Sequence, residues 1–350
     1  MRWPERVRGG PVAVAAGAVL LTGVLGAVAL WAGGYDAFAA ARAAALGAFG
    51  SRDALLSITL VRSVPLILTG LAIALAFRAG VWNVGAEGQL YAGAVAAVWV
   101  GLEGGSLPGW LLLPAVLGAA GIAGALWALA PALMKVRLGV GEVITTLLMN
   151  FVAIYLAAYM VHGPLQEPRG VFPQTGPIAE GARLPVLVPG TRLHLGVVLA
   201  LVAAVGLAWL FRRTRIGFQM RAVGASSDAA RIAGRIDTRK VVLIAFLGSG
   251  ALAGLAGGVQ VAGVTYALYE GLSPGWGYTA IAVALLAALN PVGVLATGVL
   301  FGALEAGAAA MQRDAGVPAV WAVAAQSIVI LAVLGLDRVR RHAGSEASRV

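Results

Sequence analysis

Along this chain apolar residues come in long blocks, separated by breaks rich in glycine, proline or arginine. The blocks fall near residues 11–32, 61–78, 87–102, 109–131, 141–161, 193–211, 241–262, 278–290, 292–311 and 318–336. A helix needs about 20 apolar residues to cross a bilayer, and backbone polar groups must be satisfied internally there. The pattern predicts an all-α polytopic membrane protein with ten spans, forming one transmembrane domain over residues 1–350. The blocks at 87–102 and 278–290 are short for a hydrocarbon core of about 30 Å, which predicts broken or re-entrant helices. The first block follows MRWPERVRGG as in a signal peptide. It is longer than a usual signal core of about 7–15 residues, so an anchor helix that stays in place is expected.

Composition agrees with the pattern. Of 350 residues 60% are hydrophobic and only 11% charged, against about 25% charged in soluble domains. A net charge of +10 raises the question of nucleic acid, and its placement answers it. An even number of spans puts both termini on one side. With that side inside, the inner segments hold Arg2, Arg6, Arg8, Arg78, Lys135, Arg137, eight residues of 212–240, and Arg338, Arg340, Arg341 and Arg349. These are 18 of the 25 basic residues. Arg42, Arg52, Arg62, Arg169, Arg183, Arg192 and Arg313 fall outside. The split predicts cytoplasmic termini by the positive-inside rule, and topology rather than nucleic acid explains the basic excess.

Two loops exceed plain connectors. Residues 162–192 form an outer loop with six prolines. Residues 212–240 form an inner loop that the sequence predicts to be folded. Ser227 is expected to cap a helix from Asp228 to about Ala233, closed by Gly234. Ala229, Ala230, Ile232, Ala233 and Ile236 give that helix an apolar side, suited to a partner protein or to the inner leaflet.

Against this apolar background a few polar residues stand out, because ionisable groups inside a membrane cost about 2.5–3.5 kcal/mol on insertion scales. Glu87, Glu142, Glu270 and Glu305 are the carboxylates of interest, with Glu305 deep in its span. Glu142, Thr146 and Asn150 recur at four-residue intervals and share a helix face. Such a stripe suits a pathway lining, and equally suits polar contact between helices. The stretch AFRAGVWNVGAEGQLYAG, residues 76–93, has too many glycines for one continuous helix. It predicts an irregular turn that offers Asn83, Glu87 and Gln89 to a cavity or to buried neighbours. Tyr266, Tyr269, Trp276 and Tyr278 form an outer aromatic patch, suited to stacking on a flat ligand or to an interfacial belt. Gly250, Gly254 and Gly258, and likewise Gly298, Gly302 and Ala306, form small-residue ridges for close helix packing.

Other chemistry is missing from the sequence. There is no cysteine, hence no disulfide and no thiol nucleophile. No GxxxxGK[ST] or HExxH occurs, and His162, His194 and His342 lack metal spacing. The chain is expected to be no enzyme and to carry neither metal nor cofactor.

RSVPLILTGLAIALAFRAGVWNVGAEGQ at 62–89 resembles the permease subunits of bacterial ABC importers of the branched-chain amino acid and simple-sugar superfamily. GEVITTLLMNFVAIYL at 141–156, RAVGASSDAARIAGRIDTRKV at 221–241 and GYTAIAVALLAALNPVG at 277–293 extend the likeness. The phrase at 77–89 is closest to the nucleoside-type branch, with Trp82 and Val84 where that branch usually has Phe and Ile.

The resemblance implies a bacterial inner-membrane permease working by alternating access. Its implied partners are a second similar permease, two cytoplasmic ATPase subunits and an extracytoplasmic binding protein or lipoprotein. Segment 221–241 would then seat in an ATPase groove through Arg221, Gly224, Asp228, Ala229, Ala230 and Gly234, and loop 162–192 would meet the binding protein. Asn83, Glu87, Gln89, Glu142, Thr146, Asn150 and Glu305 are the expected substrate-pathway residues. Nucleosides lead as substrate, with simple sugars or a flavin-like vitamin as alternatives. A proton-coupled secondary transporter using Glu305 or Glu87 is the rival from another class.

Overall fold

A computed structural model describes residues 24–320 apart from 25, 29, 235 and 319, together with 324 and 327. The regular structure of the described residues is all helical, with only two isolated β-bridges. In chain order the helices are α1 (Ala37–Phe49), α2 (Leu60–Arg78), α3 (Ala86–Glu103), α4 (Gly109–Leu138), α5 (Glu142–His162) and α6 (Gly196–Arg213). They continue with α7 (Arg215–Ala225), α8 (Ser227–Gly234), α9 (Thr238–Gln260), α10 (Trp276–Leu286) and α11 (Pro291–Ala315). A π-helical segment, Ala54–Thr59, leads into α2, and another, Val261–Thr265, extends α9.

Six helical stretches are long and apolar enough to cross a membrane: Ala54–Arg78, Gly109–Leu138, Glu142–His162, Gly196–Arg213, Thr238–Thr265 and Pro291–Ala315. The chain is a multi-pass membrane protein. The spans expected at 11–32 and 318–336 lie largely outside the described residues. The short block at 278–290 gives α10 followed by a turn in which Ala288 and Leu289 both take positive φ. Two elements differ from expectation. Helix α4 runs past Pro131 to Leu138, since a membrane helix tolerates proline where neighbours re-satisfy the backbone. It ends at left-handed Gly139, where the Val140 amide returns to the Met134 carbonyl at 3.2 Å. Helix α1 was not expected, because arginine and small residues dilute its apolar signal; Asp36 caps it through the amides of Phe38 and Ala39 at 2.9 Å.

The described residues fall into two compact units, one of residues 63–298 and one of those up to 62 together with those from 299 onward. In the second unit Ala48, Ala303 and Ala306 form a small core with Ile58, and Leu30, Ala40 and Val317 form another. Gly307 packs tightly against Ala44 there.

In the first unit α2 is almost wholly buried and α9 packs most extensively on α4 and α3. Close approach makes this packing. Gly250 and Gly254 lie against the backbone of Gly124 and Ala120 on α4, and Gly257 against the Leu90 carbonyl on α3. The ridge read from the sequence is a three-helix contact. By contrast, α5 turns Val143, Ile144, Leu147, Leu148, Phe151 and Tyr155 outward while burying Thr146, Asn150, Ala153 and Ala157. An apolar exterior over a partly polar interior suits lipid as the surrounding medium.

Loop 162–192 is ordered against the end of α9. Thr175 and Leu268 exchange hydrogen bonds, and the Ile178 and Leu184 amides donate to Tyr266 and Ala262. The Arg183 guanidinium lies 4.8 Å from the Tyr266 ring centroid. Just beyond, buried His194 accepts from the Gly196 amide at 3.1 Å and fills the space beside Gly263. Burial pushes its imidazole down to about 4.

Two outcomes follow from these contacts. Gly254→Leu drives a side chain into the α4 backbone; it is expected to cost at least about 1–3 kcal/mol and to lower both membrane yield and melting temperature. For His194 the unfolded chain binds a proton near the ordinary value of 6.5 while the folded chain does not until about 4. Folded stability therefore falls as pH drops through that window and levels off below it. Melting curves of His194→Gln should lack this component.

Candidate functional site

The interruption between α2 and α3 is shorter than the glycines suggest. Helix α2 ends at Arg78, and α3 starts at Ala86 after Gly85 as its N-cap. Glu87, Gly88 and Gln89 thus lie in the first turn of α3 rather than in the irregular segment. Gly80 turns the chain with positive φ, and Trp82 tilts against Phe77 at 4.7 Å between ring centroids.

A helix beginning with glycine has no side chain to cap its first amides. Here the cap comes from another helix. Asn150 on α5 accepts from the Gly88 amide at 2.8 Å and donates to the Val84 carbonyl at 2.9 Å. Its amide nitrogen also lies 3.2 Å from the Tyr278 hydroxyl. One turn earlier, the Thr146 hydroxyl accepts from the Val84 amide at 3.2 Å and donates to the Glu142 carbonyl at 2.7 Å. One turn earlier again, Glu142 pairs with Lys135 at 2.5 Å and accepts from the Trp82 amide at 3.4 Å. The polar stripe on α5 faces the broken segment rung by rung.

Helix α10 repeats the device. Its N-cap is Gly275, and the Gly277 amide donates to Glu87 Oε2 at 2.6 Å. Ser273 takes the amides of Gly275 and Trp276 at 3.1 and 3.0 Å. The carboxylate of Glu87 also interacts with Ser273 and the Gly275 backbone. A carboxyl oxygen at a helix N-terminus meets amides that the helix itself leaves unsatisfied. Gly277 must be glycine for this approach, because a Cβ there would meet the Glu87 backbone.

Between the two caps lies a carboxamide pair. Asn83 Nδ2 donates to Gln89 Oε1 and Gln89 Nε2 donates to Asn83 Oδ1, both at 3.0 Å. Asn83 also donates to Ser249 on α9 at 2.8 Å and accepts from the Gly85 amide at 3.0 Å. Asn83, Glu87, Gln89, Thr146 and Asn150 are all buried.

Six of the seven residues singled out from the sequence therefore meet. Glu305 lies on α11 in the other unit, half-buried and with an interaction partner. Ser249, Ser273, Lys135 and Tyr91, whose hydroxyl accepts from the Ser273 amide at 3.2 Å, belong to the network and were not anticipated. Ser249 and Ser273 gave no sign in an apolar or turn context, while Lys135 was read only as an inner charge. Of the aromatic patch, Trp276 is buried, Tyr266 carries Arg183, and Tyr278 and Tyr269 remain partly exposed.

The inner loop is folded, as α7 and α8. Ser226, not Ser227, caps α8, its hydroxyl accepting from the Ala229 amide at 3.3 Å. Ala230 and Ile236 are buried while Asp228, Ala229 and Gly234 are exposed and Ile232 is 77% exposed. Arg221 donates to the Phe211 carbonyl. Gly224 lies against the Arg78 carbonyl and Gly80, so its small size serves a contact inside this chain.

With this geometry in place, the relatives are informative. Residues 55–334 match the family described as "Branched-chain amino acid transport system / permease component". The chain belongs to that family. It is 40% identical to the glucose ABC transporter permease protein of Haloferax volcanii, over 81% of this chain and 77% of that one. It is 38% identical to the guanosine ABC transporter permease protein of Bacillus subtilis, over 92% and 93%. A nucleoside ABC transporter permease protein of Lactococcus lactis shares 32%, over 86% and 84%. No solved structure matches. Membership is in the permease component, not in an ATPase, in keeping with the missing phosphate-binding loop.

If trans-capping holds the site together, acceptors matter more than charge. Glu87→Gln keeps an oxygen for the Gly277 amide and is expected to retain most of the stability, whereas Glu87→Leu orphans it. Asn150→Leu strands both the Gly88 amide and the Val84 carbonyl. Each buried group left unsatisfied costs about 1–3 kcal/mol, readable as a fall in melting temperature in detergent.

Proposed function

We propose that this chain is the transmembrane permease subunit of an ATP-driven ABC importer for nucleosides, cycling by alternating access under separate ATPase subunits. The observation that carries the substrate is the guanosine permease relative, which matches along nearly the whole chain at 38% identity. The Lactococcus nucleoside relative points the same way. In this reading the chain lies in a bacterial cytoplasmic membrane with ten spans and both termini inside. It pairs with a second permease and receives solute from an extracytoplasmic binding protein or lipoprotein.

Two surfaces support these partners. Helix α8 presents Asp228, Ala229, Arg231, Ile232 and Gly234 outward, a short tooth with one large apolar residue, Ile232, beside an Asp228–Arg231 ion pair. That suits a groove on the ATPase, with Arg221, Gly224 and Ala230 bracing the tooth from behind. On the opposite loop Val171, Phe172, Val186 and Leu187 are exposed, an apolar edge for the binding protein. Asn83, Glu87, Gln89, Glu142, Thr146 and Asn150 are proposed to act on the pathway chiefly by fixing where α3 and α10 begin. Tyr278, hydrogen-bonded to Asn150 and partly exposed, is the aromatic best placed for a base. Glu305 is proposed as a second pathway element.

A sugar is the second reading, favoured by the 40% identity to the glucose permease. The deciding experiment assembles this chain with its ATPase and binding-protein partners in vesicles and supplies radiolabelled guanosine or glucose. Guanosine accumulation that needs ATP, is at least tenfold above glucose, and vanishes without the ATPase is the expected result. Accumulation of either solute by this chain alone, driven by a proton gradient and lost in Glu87→Gln, would overturn the reading.

A further inference from the structure

The first unit contains a cavity of about 220 Å³ lined by Arg78, Ala208, Phe211, Arg212, Arg221, Asn290 and Pro291. It sits where α2 and α6 end and α11 begins, against α7. Three guanidiniums meet there and repel one another. Among the described residues none of the three pairs with a carboxylate.

The arginines are held rather than merely crowded. Arg78 donates through Nε to the Leu289 carbonyl at 3.1 Å, and its guanidinium carbon lies 5.4 Å from the Phe211 ring centroid. Leu289 and its neighbour Ala288 take left-handed φ of 58° and 49° to present that carbonyl. Such backbone is strained and persists only where its surroundings demand it. Arg221 is anchored on the Phe211 carbonyl. Arg212 has no hydrogen-bond partner among the described residues and is exposed. Two anchored cations and one free one, with no counter-charge, surround a space below the roughly 300–1,000 Å³ of a drug-sized pocket.

We propose that this cavity binds the phosphate group of an anionic ligand. Arginine's planar fork matches phosphate oxygens in pairs. A cavity at helix ends lies at headgroup depth, and basic pockets between spans on the cytoplasmic side take anionic headgroups. Assigning the cavity to the inner leaflet rests on the orientation proposed above; the phosphate chemistry does not. The bound phosphate relieves repulsion among Arg78, Arg212 and Arg221, and ties the ends of α2 and α6 to α7.

The test uses the full chain and no transport assay, so it stands apart from the substrate reading. Melting temperature is followed while phosphatidylglycerol is titrated into phosphatidylcholine nanodiscs, and while inorganic phosphate is titrated in uncharged detergent. A saturable gain is expected. Arg212→Gln should weaken it about tenfold, the loss of one charge-assisted contact. Arg213→Gln removes the same charge from the adjacent exposed residue, which does not line the cavity, and should leave the gain intact. Arg221→Gln is the second variant, and its melting temperature in pure phosphatidylcholine reports whether it folds. A gain with the lipid alone assigns a headgroup, and a matching gain with phosphate assigns a soluble anion. Equal losses in Arg212→Gln and Arg213→Gln, or no gain from either probe, would overturn the proposal.

Discussion

The described structure turns on the unsatisfied amides at the starts of two helices. Helix α3 and helix α10 both begin at a glycine that can offer no cap, within a bundle whose surroundings are apolar. Water is not at hand to take such amides in a membrane. The chain takes them with side chains from elsewhere: Asn150 for α3 and Glu87 for α10. The arrangement is sequential. Asn150 fixes the first turn of α3, that turn carries Glu87, and Glu87 then fixes the first turn of α10. Removing the first link disturbs the second.

This order explains why a chain so poor in charge keeps a carboxylate and several carboxamides inside. Carboxamides offer donor and acceptor together, so Asn150 serves the Gly88 amide and the Val84 carbonyl at once. Asn83 and Gln89 satisfy each other and leave Asn83 a donor for Ser249. A carboxylate would be costly in such a place without donors, and Glu87 receives them from a helix start. Glycine is the complementary requirement, because short hydrogen bonds between helices need backbones that approach closely. Gly88 against Asn150 and Gly277 against Glu87 are both contacts that a side chain would break.

Much of this was legible in the sequence. Apolar blocks gave the helical class, the spacing of Glu142, Thr146 and Asn150 gave one face of α5, and the glycines of 80–88 gave a break. Each is a local pattern, and local periodicity is what one sequence carries. The partners were not legible, because Gly88 and Asn150 are 62 residues apart and Glu87 and Gly277 are 190 apart. No spacing rule links such positions. Errors at Ser227 and Pro131 have the same origin: Ser226 and Ser227 are equally good caps in isolation, and a proline ends a helix only where packing does not hold it. Helix α1 escaped notice because Asp36 and a run of alanine give it good local structure without a strong apolar face.

The contact at Gly224 joins this site to α7 and α8. Gly224 at the end of α7 lies on the Arg78 carbonyl and on Gly80, where the backbone turns toward Asn83. A side chain at Gly224 would push α7 away from that turn. Force applied to α8 and α7 therefore meets the broken segment directly, three residues before the carboxamide pair. Close-packed contacts of this sort shift between discrete arrangements rather than stretch. Movement of α7 would displace Gly80, and with it the Trp82 and Val84 amides held by Glu142 and Thr146. The polar stripe on α5 thus caps α3 and, through the Trp82 and Val84 amides, lies one step from the contact of α7 with Gly80.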